Sequence, residues 1–132
     1  MLYIAYIEGD PQSQFHFEQI AVLLRARGFD NELSIYTSPD DACERIPYER
    51  PDIVFIDLRT RRDTHTAGLD VARTLRQHPL CRNTIFVGMA DYAMPADSTA
   101  ALASGCHTFI PKPARYQAVE DVITHQVLHS HV

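Results

Sequence analysis

No segment of this sequence is apolar for long enough to span a bilayer, and the opening residues, Leu2 to Ile7, carry neither the basic start nor the small-residue cleavage site of an export signal. A soluble, cytoplasmic protein without membrane contact is expected. Positive charge is scarce as well. The 12 Lys and Arg stand against 17 Asp and Glu, a formal net charge of -5, so the field that would hold a phosphate backbone is missing and direct nucleic-acid binding is not expected. Cysteine is sparse: Cys43, Cys81 and Cys106 are odd in number and form no CxxC pair, which argues against a disulfide framework or a zinc site and for reduced thiols. No linker, repeat or low-complexity segment divides the chain. What is present is enough apolar material, 45% of 132 residues, for one ordinary core, and a single domain over residues 1–132 is the expectation.

Short apolar runs alternate with longer amphipathic segments, the pattern of successive βαβ units around a parallel sheet. Five strands are expected, at Leu2 to Ile7, Glu32 to Tyr36, Ile53 to Ile56, Thr84 to Gly88 and His107 to Ile110. The third is apolar at consecutive positions, as a central strand covered on both faces should be. The first helix, about Gln12 to Ala26, places Phe17, Ile20, Ala21 and Leu24 at i, i+3, i+4 and i+7, and Gly28 stops it. Ser38-Pro39-Asp40-Asp41 reads as an N-cap, a proline at N1 and a first turn of acids, for a helix ending near Ile46. Helix three runs from Gly68 to about Gln77 with Val71, Ala72 and Leu75 inward. Helix four lies near Ala96 to Ala103, and helix five follows Pro113 with Val119, Val122 and Ile123 on one face.

The few arrangements open to five such units make a flavodoxin-like (βα)5 sandwich with a parallel sheet in order 2-1-3-4-5 the expected fold. Ligands of open α/β sheets bind at the carboxyl ends of the strands. The residues there are Glu8, Gly9 and Asp10, then Asp57, then Met89 and Ala90, then Lys112. An acid after a strand is ordinarily a solvated turn residue. Acids after strand one, an aspartate after strand three and a lysine after strand five, converging in one pocket, suit phosphoryl chemistry on a carboxylate. Mg²⁺ prefers carboxylate oxygens and water, and an ammonium neutralises phosphoryl oxygens during transfer.

In its stretches Ile7-Glu8-Gly9-Asp10-Pro11, Pro51 to Arg59, Gly68-Leu69-Asp70-Val71-Ala72 and Gly105 to Pro113, the chain resembles the response-regulator receiver domain over nearly its whole length. The resemblance implies a two-component phosphorelay module rather than an enzyme with an external substrate. Asp57 would be the phosphoacceptor and Lys112 the phosphoryl-contacting lysine. Mg²⁺ would be held by Glu8, Asp57, the backbone carbonyl of Arg59 and, with a bend of the loop, Asp10. Met89 and Phe109 would take the two switch positions, and the Lys112-Pro113 peptide would be cis. A histidine kinase or phosphotransferase would be the donor, a downstream protein would bind the face made by helix 4, strand 5 and helix 5, and a homodimer is compatible with the family.

Three departures stand out. Gly9 replaces a second acid and offers no side-chain oxygen, which lowers the expected Mg²⁺ affinity. Met89 replaces a Thr or Ser, and a thioether cannot donate the hydrogen bond a hydroxyl gives. The loop between Asp57 and Gly68 is longer than the family pattern and carries Arg59, Arg61 and Arg62. Gly9 and Met89 favour a second reading, a pseudo-receiver that keeps the fold as an interaction module and works without phosphorylation. A phosphatase using Glu8 and Asp10 as an acid-x-acid pair is remote, because such enzymes begin the pair with aspartate and normally carry a cap. His125, His129 and His131 have metal-compatible spacing, but a solvated terminus accounts for them. Tyr36, Tyr48 and Tyr92 read as ordinary surface aromatics.

Overall fold

The computed structural model describes residues 1–58, 67–91 and 93–128. Strands β1 (Leu2–Ile7), β2 (Asn31–Tyr36), β3 (Ile53–Asp57), β4 (Ile85–Ala90) and β5 (Thr108–Pro111) alternate with helices α1 (Pro11–Ala26), α2 (Pro39–Glu49), α3 (Ala67–Gln77), α4 (Pro95–Ala103) and α5 (Tyr116–Val122). The last helix runs on as a π-helical segment, Ile123–Leu128. All neighbouring strands pair in parallel, in the order β2-β1-β3-β4-β5 expected from the sequence.

Each strand sends alternate side chains to opposite faces, and each face has its own core. Tyr6, Phe55, Val87 and Met89 pack with Phe17, Ile20 and Leu24 of α1 and with Val119 and Ile123. Ala5, Ile7, Val54, Ile56 and Phe86 pack on the other side with Ile46, Val71, Ala72, Leu75 and Ala101. All five residues of β3 are buried, as a strand covered on both faces requires. The rings of Tyr6 and Phe17 lie 4.5 Å apart, and Phe17 lies 4.9 Å from Phe55, so one aromatic stack ties α1 to the two central strands.

The helix ends follow from local chemistry. Ser38 caps α2 by accepting from the Asp41 N–H. α1 and α4 end alike. Gly28 (φ 96°) and Gly105 (φ 105°) take the left-handed conformation, and the next residue's N–H reaches back to close the turn, Phe29 to the Leu24 carbonyl and Cys106 to the Ala101 carbonyl.

Two element ends and one burial differ from the sequence reading. Helix α2 passes through the buried Pro47 and ends at Glu49, with Arg50 left-handed (φ 50°) and its N–H on the Ile46 carbonyl. Strand β4 runs two residues beyond Gly88, because the Leu58 N–H donates to the Met89 carbonyl (2.8 Å) and the Lys112 N–H to the Ala90 carbonyl (3.0 Å). Met89 and Ala90 are therefore strand residues, not residues after a strand. Tyr36 is buried, with the Arg45 guanidinium 5.1 Å from its ring centroid, whereas Tyr48 is exposed as expected.

Candidate functional site

The register of the sheet sets the site. Tyr6 pairs with Phe55, so two residues on, Glu8 lies level with Asp57 on the same side, and Asp57 pairs with Met89. Lys112 leaves β5 directly after Pro111, and its peptide with Pro113 is cis, as the resemblance implied. Its Nζ lies 2.5 Å from Glu8 Oε1, 3.6 Å from Asp57 Oδ1 and 3.7 Å from Asp91 Oδ2. The ends of four strands thus meet on one ammonium.

The Lys112 and Glu8 side chains are only 4% and 2% exposed, so their charges survive burial only because they are paired and hydrogen-bonded. Glu8 Oε1 accepts from both Lys112 and the Tyr6 phenol (2.8 Å), while Oε2 accepts from the Asp10 N–H (3.2 Å). Burial pulls the Lys112 ammonium down, but its hydrogen bond to Glu8 and the fields of Asp57, Glu8 and Asp91 outweigh that, and its pKa ends above the ordinary lysine value. Burial, followed by the charge of Glu8, pushes the Tyr6 phenol far above its ordinary range. The phenol stays a donor at any physiological pH.

Tyr6 and Asp91 are members of the site that sequence reasoning passed over. Tyr6 sits in a strand whose pattern calls for core, and its ring is core; only the oxygen belongs to the site. Asp91 directly follows the true end of β4, and the rule that points to residues after strands would have found it had that end been placed at Ala90.

The other expected residues divide. Asp10 is the N-cap of α1: its Oδ2 accepts from the Ser13 N–H (3.0 Å) and the Ser13 hydroxyl (2.9 Å), so that oxygen serves the helix. Met89 is 1% exposed and packs into the α1 and α5 core beside Asp57. Phe109 is half-buried and packs against the opposite core. Arg59, Arg61, Arg62, Tyr92, His129 and His131 lie outside the described residues. Gly68 touches the site through its backbone. A Cβ there would lie 2.4 Å from the Asp57 carbonyl oxygen, so only glycine lets the start of α3 cross the end of β3. Gly9 is the reverse case, since an added Cβ would meet nothing nearer than the Thr37 carbonyl at 3.7 Å.

Mg²⁺ needs a set of oxygen ligands at near-octahedral geometry. Glu8, Gly9 and Asp57 line a cavity of about 20 Å³, room for one water-sized occupant. Around it, Glu8 Oε1 already carries two protein donors, Gly9 brings no side-chain oxygen and Asp10 Oδ2 is a helix cap. Among the described residues no group of three or more His, Cys, Asp or Glu side chains is arranged so that it could hold a metal ion. These residues do not fit a dedicated Mg²⁺ site.

The strand order, with acids and a lysine gathered at the carboxyl edge of the sheet, defines a flavodoxin-like α/β protein. Within that class the response regulator receiver domain family model matches residues 10–124, and the chain belongs to that family, the receiver domains of two-component systems. A search of curated proteins gave no match. Solved structures share the fold at low identity. A CheY-like response regulator receiver domain protein of Methanospirillum hungatei is 18% identical, with 99% of this chain and 97% of that one aligned and a TM-score of 0.77. The receiver domain of a Pseudomonas aeruginosa sensor histidine kinase, solved with magnesium in its active-site cleft, is 18% identical over 96% and 97% of the two chains, TM-score 0.78. The receiver domain of the Saccharomyces cerevisiae response regulator Ssk1, crystallised with the histidine phosphotransfer protein Ypd1, is 17% identical over 99% and 92%, TM-score 0.80. No helix among the described residues is long and apolar enough to cross a membrane.

Proposed function

We propose that this chain acts as one cytoplasmic receiver unit that accepts a phosphoryl group on Asp57 from a histidine kinase or histidine phosphotransferase and signals through changed partner binding. The observation that carries this reading is the placement of the Lys112 ammonium 3.6 Å from Asp57 Oδ1, at the carboxyl end of the central strand. A carboxylate oxygen can attack the phosphoryl group there while the ammonium neutralises charge on the transferring oxygens. Lys112 is fixed to the end of β5, which carries Phe109, so a shift of the lysine toward a phosphorylated Asp57 would be felt along that strand. The output surface on this reading is the face of α4, β5 and α5, where a downstream protein or a second copy binds. The Ssk1 receiver's complex with a phosphotransfer protein supports a donor of that kind.

A second reading, a pseudo-receiver that binds partners without phosphorylation, is favoured by one specific observation. Met89 is swallowed by the core at the position facing Asp57, so no hydroxyl waits there for a phosphoryl oxygen. Intact-protein mass after incubation with phosphoramidate or acetyl phosphate, with and without Mg²⁺, separates the two. The phosphoacceptor reading expects one added phosphoryl group, lost in Asp57→Asn. Gly9→Asp with Met89→Thr is expected to raise labelling tenfold or more, since a regained hydrogen bond to a charged oxygen is worth roughly 1.5–3 kcal/mol. A Cβ added at Gly9 meets nothing nearer than the Thr37 carbonyl at 3.7 Å, so the backbone there accepts a side chain. No labelling of either protein, with partner binding indifferent to Asp57→Asn, establishes the pseudo-receiver.

A further inference from the structure

We propose that the Lys112 ammonium is the resident cation of this pocket, standing in place of a divalent metal ion, so that the stability of the folded domain does not depend on Mg²⁺. The inference goes beyond the phosphoacceptor reading and holds whether or not Asp57 is modified.

The geometry around Nζ carries it. Three carboxylates from three different strand ends lie within 3.7 Å of one buried ammonium, and the nearest, Glu8, is 2.5 Å away. Glu8 is held in that contact from both sides. The Tyr6 phenol fills the remaining place on Oε1, and the Asp10 N–H holds Oε2. The Tyr6 ring is fixed in turn by its stack on Phe17, so the carboxylate has little freedom to swing toward another ligand. A metal ion entering here must either draw Glu8 off the lysine or lie beside a buried ammonium of like charge. Among the described residues the side chains beside Glu8 offset neither loss, because Gly9 supplies no replacement oxygen and Asp10 Oδ2 caps α1. The cavity beside Glu8 and Asp57 has room for a water molecule but, among the described residues, no set of side-chain ligands for an ion.

The test is thermal unfolding of the purified chain in EDTA and in ~10 mM Mg²⁺ at matched ionic strength, for the natural sequence and for Lys112→Met. An ion present at ten times its dissociation constant raises the melting temperature of a domain this size by about 5 °C. The natural protein is expected to show no such shift. Lys112→Met, with its acids left uncompensated, is expected to melt lower in EDTA and to recover in Mg²⁺. A shift of about 5 °C in the natural protein overturns the proposal. So does a Lys112→Met protein as indifferent to Mg²⁺ as the natural one. If Lys112→Met does not fold, Lys112→Gln takes its place, and the Mg²⁺ titration of the natural protein decides by itself. Failure of Asp57 labelling leaves these results untouched, so the two readings fall separately.

Discussion

Two walls of the same pocket, both within a few ångströms of Asp57, have opposite characters. On the β1 and β5 side the wall is polar and buried, with Tyr6, Glu8 and Lys112 satisfying one another through hydrogen bonds. On the β4 side the wall is Met89, continuous with the core beneath it. The contrast shows where charge is tolerated inside a parallel sheet. A buried ion pair persists where every oxygen and proton has a partner, and a position without such partners goes to packing.

The sharpest way to break this comparison is to remove charge from the polar wall and to change shape in the apolar one. Glu8→Leu removes the nearest of the three carboxylates around Lys112, leaves the longer contacts to Asp57 and Asp91, and is expected to cost about 3 kcal/mol of unfolding free energy, the low end for loss of one partner of a buried pair. Met89→Leu conserves volume and is expected to cost less than about 1.5 kcal/mol. Urea denaturation measures both. Equal losses would mean that the polar wall is no more cooperative than ordinary core.

A smaller change sharpens the same point. Tyr6→Phe keeps the ring on Phe17 and removes only the donor to Glu8 Oε1, with an expected cost of about 1.5–3 kcal/mol because the acceptor is charged. The same substitution at an ordinary core tyrosine with a neutral acceptor costs closer to 1 kcal/mol. A urea midpoint indistinguishable from that of the natural protein would place the phenol outside the network.

The smallest effect, absent near neutrality, is the dependence on alkaline pH. Lys112 holds its proton more tightly in the fold than in the unfolded chain, so its contribution is complete below the ordinary lysine value and is lost as pH rises through the higher folded one. Tyr6 acts in the same direction, since the unfolded chain releases the phenol proton near the ordinary value of about 10 while the fold retains it. Burial also raises the three thiols, Cys106 to about 11, so the urea midpoint is expected to start falling near pH ~8.5 and to fall further above about pH 10, that second part less steeply in Tyr6→Phe than in the natural protein. A fall above pH ~10 as steep in Tyr6→Phe as in the natural protein would remove the phenol from this account.

Much of this was legible in the sequence because it rests on periodicity and on punctuation. The apolar run of β3, the spacing of Phe17, Ile20, Ala21 and Leu24, and the stop at Gly28 marked out the elements, and the few arrangements open to five βα units supplied the sheet order and hence the meeting of Glu8, Asp57 and Lys112. The missing parts depend on contacts between distant segments. That β4 reaches Ala90 depends on hydrogen bonds from Leu58 and Lys112, which no local pattern records. Tyr6 looks like any core aromatic until its oxygen is found on Glu8. Asp10 followed by Pro11 had a visible cap signature, but its position beside Glu8 drew the reading toward metal ligation. The tightness at Gly68 could not be seen at all, because it is a backbone crossing set by where α3 begins.

The contact between Lys112 and Glu8 joins residues 104 positions apart, so it also says something about the order in which the molecule comes together. In the finished sheet Glu8 and Asp57 end neighbouring strands, and the ammonium that faces both comes from the far end of the chain. Local helices and early strand pairs form cheaply, whereas a contact spanning nearly the whole chain waits on the closure of every loop between. The lysine at the far end thus acts as a keystone. The first strand becomes comfortable only when the last one is set, and a chain that has not yet reached residue 112 carries two acids in the place where the finished protein has a site.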